Sequence, residues 1–270
     1  MMGTKKNLYF RAGFTLLMFF ILVAVFAPLI SPFDPHELGI PYQKPNAVNW
    51  LGTNDIGQDI FSELIYGTRV SLFIGLSAAF IVTVIGTLLG ILSGYCGGFI
   101  NRMISGIINL AMSIPDLPLT IILVAFLNTS IWNIIIAICI TSWTGTARVV
   151  RARVMQLREM PFVKIEKTLG ASNLFIMIKH IIPNLTDIIL MRCTLAISNA
   201  MLTEAGLSFL GLGVYNQKSW GGILHYAFYR SGIINNYYWW YLPPIVCISL
   251  CTLGFTLLGY YGKTKSSEKL

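Results

Sequence analysis

The chain has 270 residues, of which 55% are hydrophobic and 11% charged, whereas a soluble globular domain carries roughly 45–50% apolar and about 25% charged residues. With a mean hydropathy of +0.70, a chain of this size has too little interior to hide its apolar surface, which excludes an ordinary soluble enzyme and points to several membrane spans. The formal net charge of +8 raises nucleic acid as a partner, but the basic residues cluster beside apolar runs, where Lys and Arg mark the cytoplasmic side of a bilayer; the charge is read as topology, and no nucleic-acid partner is expected.

A first apolar run covers residues 13–30, behind Lys5, Lys6 and Arg11. It is longer than the 7–15 residues of a signal-peptide core. A retained transmembrane helix is therefore expected over a cleaved leader, although the small Ala24 and Ala27 lie near its end. Residues 31–70 are polar and rich in proline (Pro32, Pro35, Pro41, Pro45), with Asp34, Glu37, Asp55, Asp59 and Glu63 against only Lys44 and Arg69. That balance suits the outer face. The second span, 71–95, carries Gly75, Ala78, Ala79, Gly86, Gly90 and Gly94, small residues that let helix backbones approach closely.

Gly97, Gly98 and Arg102 predict a tight cytoplasmic turn into a third span, 103–127, interrupted by Ser113, Pro115, Asp116 and Pro118. Prolines and a carboxylate at membrane depth are tolerated where the backbone lines protein or a cavity, so a kink facing the bundle interior is expected, with Asp116 as a candidate pathway residue or the cap of a broken helix. Residues 128–130 turn the chain into a fourth span, 131–147. A cytoplasmic loop over 148–185 leads to a fifth span, 187–210, which holds Arg192 and Glu204. Glu204 is a candidate pathway or gating group, since an intramembrane carboxylate marks function by default, or else a packing group hydrogen-bonded to Ser or Thr or paired with Arg192. An outer loop, 211–236, precedes the sixth span, 237–260, which enters through the aromatic belt Tyr237, Tyr238, Trp239, Trp240 and Tyr241. A basic tail over 263–270 carries Lys263, Lys265 and Lys269. On this topology fourteen Lys and Arg lie inside and four outside. The predicted fold is an all-α polytopic membrane helix bundle of six transmembrane helices with both termini cytoplasmic. Its parts are an N-terminal tail and first helix (1–30), an outer polar segment (31–70), a five-helix core (71–262) and a tail (263–270).

The five cysteines lie in or beside apolar runs, and His36, His180 and His225 are scattered, so no spacing suits a metal site and neither metal nor cofactor is expected. No glycine-rich loop ends in Gly-Lys-Ser/Thr. Any ATP hydrolysis therefore belongs to another polypeptide, and the chain is read as non-catalytic.

The loop over 148–183 holds seven basic and two acidic residues. Within it Pro161 suits the first turn of a helix, and Phe162, Ile165 and Leu169 recur three and four apart as one apolar stripe, with Lys164 and Lys167 off the stripe. Gly170 supplies a sharp turn, and a second helix resumes over 173–182 until Pro183. Such an element suits either a groove on a partner protein or the membrane surface; periodicity leaves both open.

The residues themselves carry a resemblance. Phe162-Val163-Lys164-Ile165-Glu166-Lys167-Thr168-Leu169-Gly170-Ala171-Ser172, followed by His180-Ile181-Ile182-Pro183-Asn184, resembles the cytoplasmic coupling loop of permease subunits in bacterial ATP-binding-cassette importers. Lys164, Ile165 and Glu166 stand where Glu, Ala and Ala are usual in that family. Leu51-Gly52-Thr53-Asn54-Asp55-Ile56-Gly57-Gln58-Asp59, Gly67-Thr68-Arg69-Val70-Ser71-Leu72, Ser113-Ile114-Pro115 and Leu202-Thr203-Glu204-Ala205-Gly206-Leu207-Ser208-Phe209-Leu210-Gly211-Leu212-Gly213 are similar to the dipeptide, oligopeptide and nickel permeases. Gln58 and Glu63 replace arginines common there. The long outer segment resembles the C-type member of a permease pair.

This resemblance implies one half of a heterodimeric translocation pathway in the bacterial cytoplasmic membrane. Its partners would be a second, different permease, two ATPase subunits, an extracytoplasmic substrate-binding protein and the lipid bilayer. It implies ATPase coupling through Phe162, Lys164, Ile165, Glu166, Lys167, Leu169, Gly170 and Ala171. The implied cargo is di- or oligopeptide, with nickel or a metal chelate as the alternative. From another class, an ATP-independent secondary transporter or channel is the rival; the absence of internal repeats, common in secondary transporters, weighs modestly against it.

Overall fold

The computed structural model describes residues 2–267, with side chains from 8 to 260. Its helices are α1 (Met2–Val25), α2 (Ala27–Ile30), α3 (Ile60–Cys96), α4 (Gly98–Ser113), α5 (Asp116–Leu127), α6 (Ile131–Arg158), α7 (Pro161–Thr168), α8 (Asn173–Ile176), α9 (Thr186–Leu207), α10 (Trp220–Tyr229) and α11 (Tyr238–Ser267). Five stretches are long and apolar enough to cross a membrane, residues 8–25, 60–96, 131–158, 183–212 and 238–260, and α4 with α5 makes up to a sixth, bent by 85° at residues 114–115. The bend has a sequence cause: Pro115 lacks an N–H and drives Ile114 to extended backbone (ψ 127°).

Several helices overrun the predicted spans. α3 starts at Ile60 rather than near residue 71 because Asp59 caps it, its Oδ2 accepting the Ser62 N–H at 2.8 Å. At 1.5 Å per residue its 37 residues reach about 55 Å, well beyond a hydrocarbon core of about 30 Å. α6 likewise continues to Arg158, and α11 carries the backbone of the predicted tail as far as Ser267. Lys269, and the side chains of Lys5, Lys6, Lys263 and Lys265, lie outside the described residues. The outer loop 211–236 holds α10, whose start is signalled by Ser219 accepting the Gly222 N–H at 3.2 Å.

α3 and α6 form the spine. Gly86, Gly90 and Gly94 recur every four residues on one face of α3, and a Cβ on each would stand 2.8 Å from Thr146, Val150 and Val154 of α6 respectively. The missing side chains let the two backbones meet. α1 crosses α11 by the same device, Gly13 against the carbonyl of Gly254.

Two buried cores result. The larger joins α1, α3, α5, α6, α9, α10 and α11 through residues such as Phe20, Ile74, Ile134, Met201, Trp220 and Trp240. The smaller, at the predicted cytoplasmic end, gathers Ile91, Tyr95, Val154, Val163, Ile176 and Leu185. The aromatic run at the start of α11 is only partly a belt. Trp240 is buried, Tyr237 stacks on Tyr42 at 5.0 Å, and Trp239 backs Gly52, so these rings clamp the 40–54 segment onto the bundle.

Gly90→Ala places a methyl group against the Val150 side chain and the Ala147 carbonyl, whereas a Cβ at Gly106 in α4 meets nothing within 4 Å. Overpacking costs about 1–3 kcal/mol, and glycine to alanine in an open helix gains up to about 1 kcal/mol. Thermal unfolding in detergent is expected to fall for Gly90→Ala and to hold or rise for Gly106→Ala; an unchanged midpoint at Gly90 contradicts the close seam.

Candidate functional site

The loop after α6 is built onto the spine by polar and apolar contacts together. Arg158 Nη1 donates to the Tyr95 carbonyl at 3.1 Å, over Gly97, whose φ of +67° allows α3 to end and α4 to begin without a side chain in the way. Tyr95 Oη donates to Asn173 Oδ1 at 3.2 Å. Val163 of α7 inserts into the smaller core, so one face of this short helix is anchored.

The opposite face is open. Phe162, Ile165 and Leu169 are all exposed, Leu169 to 76%, and the stripe therefore points away from the chain. Lys164 pairs with Glu159 at 3.0 Å, a hydrogen bond that holds the Glu159 carboxyl below the ordinary carboxylate range. Glu166 turns back toward His180, with Oε1 and Nε2 3.3 Å apart but off hydrogen-bond geometry. The His180 ring lies between Phe162 and Phe175, at 6.2 and 6.0 Å. Lys167 stays exposed. Gly170 has φ of +85° and ends α7 in a left-handed turn, and Ala171 packs against the smaller core. After α8 the chain makes one π turn over Met177–Ile181 and a 3₁₀ turn over Pro183–Leu185 before α9.

Glu204 is buried at 1% exposure and bound by neutral donors. Ser208 Oγ donates to its Oε1 at 2.8 Å and Ser71 Oγ to its Oε2 at 3.2 Å. The Trp220 N–H reaches Ser71 Oγ at 3.3 Å, and Trp220 Nε1 donates to the Leu64 carbonyl at 3.1 Å. One carboxylate thus ties α3, α9 and α10 together, and Arg192 is not its partner. Asp116 is exposed at the start of α5, where its backbone carbonyl accepts the Thr120 hydroxyl at 2.6 Å.

At the predicted outer end a polar cluster closes over α3. Asn54 Oδ1 accepts the N–H groups of Ile56 and Gln58 at 3.0 and 2.9 Å, which shapes the turn between Gly52 and Asp59. Lys218 Nζ sits 2.6 Å from both Glu63 Oε1 and Gln58 Oε1. Where the resemblance leads one to expect arginines, a carboxylate and an amide recruit a lysine from far along the chain. Arg230 pairs with Asp55 at 2.9 Å, and a cavity of about 380 Å³ lies between these pairs, also lined by His36 and His225.

Val163, Tyr95, Arg158 and His180, which mount the loop, and Ser71, Lys218 and Trp220, which assemble the outer end, were not singled out by the sequence. Val163 is legible in hindsight, four residues behind Lys167 on the face opposite the stripe. The long-range partners carried no local signal.

Comparison with known proteins gives a consistent picture. Residues 86–262 match the family described as binding-protein-dependent transport system inner membrane component, and residues 4–49 match the N-terminal transmembrane domain of oligopeptide transport permease C. The chain is 35% identical over 258 residues to the dipeptide transport system permease protein of Bacillus subtilis (strain 168), covering 94% of this chain and 80% of that protein. It is 34% identical over 264 residues to the oligopeptide transport system permease protein of the same organism, covering 96% and 85%. Among solved structures, an inward-facing MetNI methionine ABC transporter aligns with a TM-score of 0.61 at 19% identity, covering 78% of this chain and 97% of that one; this shows likeness of fold.

The Glu204 cluster makes a separate prediction. Glu204→Ala leaves the Ser71 and Ser208 hydroxyls without their acceptor, at a cost of about 1–3 kcal/mol, and is expected to lower the unfolding midpoint. Adding Ser71→Ala should then cost much less than it does in the unaltered protein, a coupling of roughly 0.5–3 kcal/mol. Strictly additive losses contradict the contact.

Proposed function

Because the chain belongs to the family of inner-membrane components of binding-protein-dependent transport systems, we propose that it is the C-type permease subunit of an ATP-driven peptide importer. It is a multi-pass protein of the bacterial cytoplasmic membrane. In the proposed assembly it crosses the membrane six times, with α4 and α5 as one broken span and both termini in the cytoplasm. A second, different permease completes the pathway, two ATPases bind inside, and a substrate-binding protein delivers cargo to the face formed by residues 31–70 and 211–236.

The observation that carries this reading is the two-faced α7. Val163 anchors it to α3 and α6 in the smaller core, while Ile165 and Leu169 face outward and Phe162, flanked by His180, stays exposed beside them. An apolar stripe held on a rigid mount suits a groove on an ATPase. Lys167 lies off the stripe, on the side of Val163, while Lys164 and Glu166 are engaged by Glu159 and His180 within the chain. Closure of the ATPase dimer displaces α7, and because α7 is tied to α3 and α6 the displacement passes to the spans. Nucleotide supplies the work only through its different affinity for the two states. Glu204 serves as a positioning group between α3 and α9, and Asp116 lines the pathway at the break.

Peptide is preferred to nickel as cargo because the relatives named above are dipeptide and oligopeptide permeases. Proteoliposomes holding both permeases, the ATPases and the loaded binding protein are expected to take up a labelled dipeptide only with ATP inside the ATPase compartment. Uptake by this chain alone supports a secondary transporter instead, and uptake of nickel but not peptide overturns the cargo. Gly170→Val forces a β-branched residue into a positive φ, a strain of about 1–3 kcal/mol. It should abolish uptake while leaving the chain in the membrane, and undiminished uptake counts against coupling through α7.

A further inference from the structure

Two opposite charges stand at one level of the bundle without pairing. α5 and α6 form an antiparallel hairpin across residues 128–130, and the hydroxyls of Thr120 and Thr141 meet between them at 3.1 Å. From that contact Asp116 lies four residues back on α5 and Gly145 four residues on along α6, each about 6 Å away in the same direction. Residues four apart share a helix face, so Asp116 and Gly145 form the next rung toward the predicted cytoplasmic end. Arg192 reaches the same rung from α9. Its Nη2 stands 3.0 Å from where a Cβ on Gly145 would be and 3.5 Å from Thr146 Oγ1.

Arg192 carries five N–H donors, yet the Thr146 hydroxyl is its one polar contact among the described residues, and its buried Nε has no hydrogen-bond partner. The guanidinium is turned toward α6 rather than along α9 to a headgroup. An arginine held inside a membrane bundle with most of its donors idle is costly and marks a pathway or a missing anion. The bare face of Gly145 is what lets the guanidinium lie against α6. A structural ion pair needs a single pairing of Asp116 with Arg192, but no ion pair joins them among the described residues.

We propose that this rung is a cargo station on the translocation path, in which Arg192 receives the terminal carboxylate of a peptide and Asp116 its terminal ammonium. The assignment rests on the peptide-permease reading above. It names a zwitterion as the form in which cargo passes the predicted cytoplasmic half of the bundle, and it explains the two unpaired charges by one ligand. Arg192 suits the carboxylate because its planar fork takes two oxygens at once.

The test uses the full reconstituted complex, with a dipeptide, its C-terminal amide and its N-acetyl derivative each presented at saturation on the same binding protein. Rates of each variant are divided by those of the unaltered complex for the same cargo, which cancels preferences of the binding protein. Arg192→Gln is expected to slow the free dipeptide about tenfold or more, the effect of one hydrogen bond to a charged group, and to slow the amide far less; Arg192→Lys should recover part of the loss. Asp116→Asn should mirror this, slowing the free dipeptide more than the N-acetyl form. Equal slowing of all three cargoes by Arg192→Gln overturns the station, as does no slowing at all. Dissociation of the second permease in that variant, seen by size-exclusion of the purified complex, overturns it in favour of an inter-subunit ion pair. An unaltered complex that imports none of the three peptides defeats the peptide reading itself, a result distinct from import with unchanged preference in the variants.

Discussion

The close contact of α3 with α6 governs the arrangement of everything else. Three glycines on one face of α3 bring the Trp143, Ala147 and Arg151 carbonyls of α6 to within 2.9 Å of where Cβ atoms would be, so the two helices form a spine with little room to slide. Each functional element hangs from it. At one end α3 projects beyond the bilayer thickness and carries the Asp59 cap and the Glu63–Lys218 pair. At the other, Tyr95 and Arg158 join the ends of the same two helices and mount the 159–185 loop. A spine of interdigitated backbones transmits displacement because packed interiors yield little to strain.

The charges on the bundle helices fall into two kinds, and the difference lies in their partners. Glu204 is wholly enclosed but receives two serine hydroxyls, and Glu63 is enclosed beside Lys218 and Asn54; both are bound by their own chain. Arg192 and Asp116 lack any such partner among the described residues. Buried charges persist where they are paired or used, so the first two are read as fixing helices in place, and the half-buried Arg192, with the exposed Asp116 on the same rung, as facing something that comes and goes. Position along the chain does not separate these kinds. Glu204 is as deep in an apolar run as Arg192.

Much of this was legible in the sequence. Apolar runs and the distribution of Lys and Arg locate the helices, the small residues of residues 75–94 announce close packing, and Pro115 with Asp116 foretells the break between α4 and α5. Phe162, Ile165 and Leu169 declare one face of α7 by their spacing. What stayed hidden depends on contacts distant in sequence. Periodicity cannot say whether the stripe faces inward or outward, and Val163 decides it by entering the smaller core. Nothing local marks Lys218 as the partner of Glu63, 155 residues away in the chain, or turns Trp239 and Trp240 from lipid toward the 40–54 segment. α10 was missed because ten residues within a loop make a weak pattern, although Ser219 at its start was a usable cap signal.

The central claim is that α7 moves as one body with the α3–α6 spine. It is tested most directly by distances between spin labels in the assembled transporter, on a background without the native cysteines. One pair joins Lys167 to Gln156 within this chain, and a second joins Lys167 to a label on the other permease. Rigid coupling predicts that trapping the ATP-bound state leaves the first distance unchanged and shifts the second. A change in the first distance, with α7 swinging away from α6 while the spans stay still, contradicts the account.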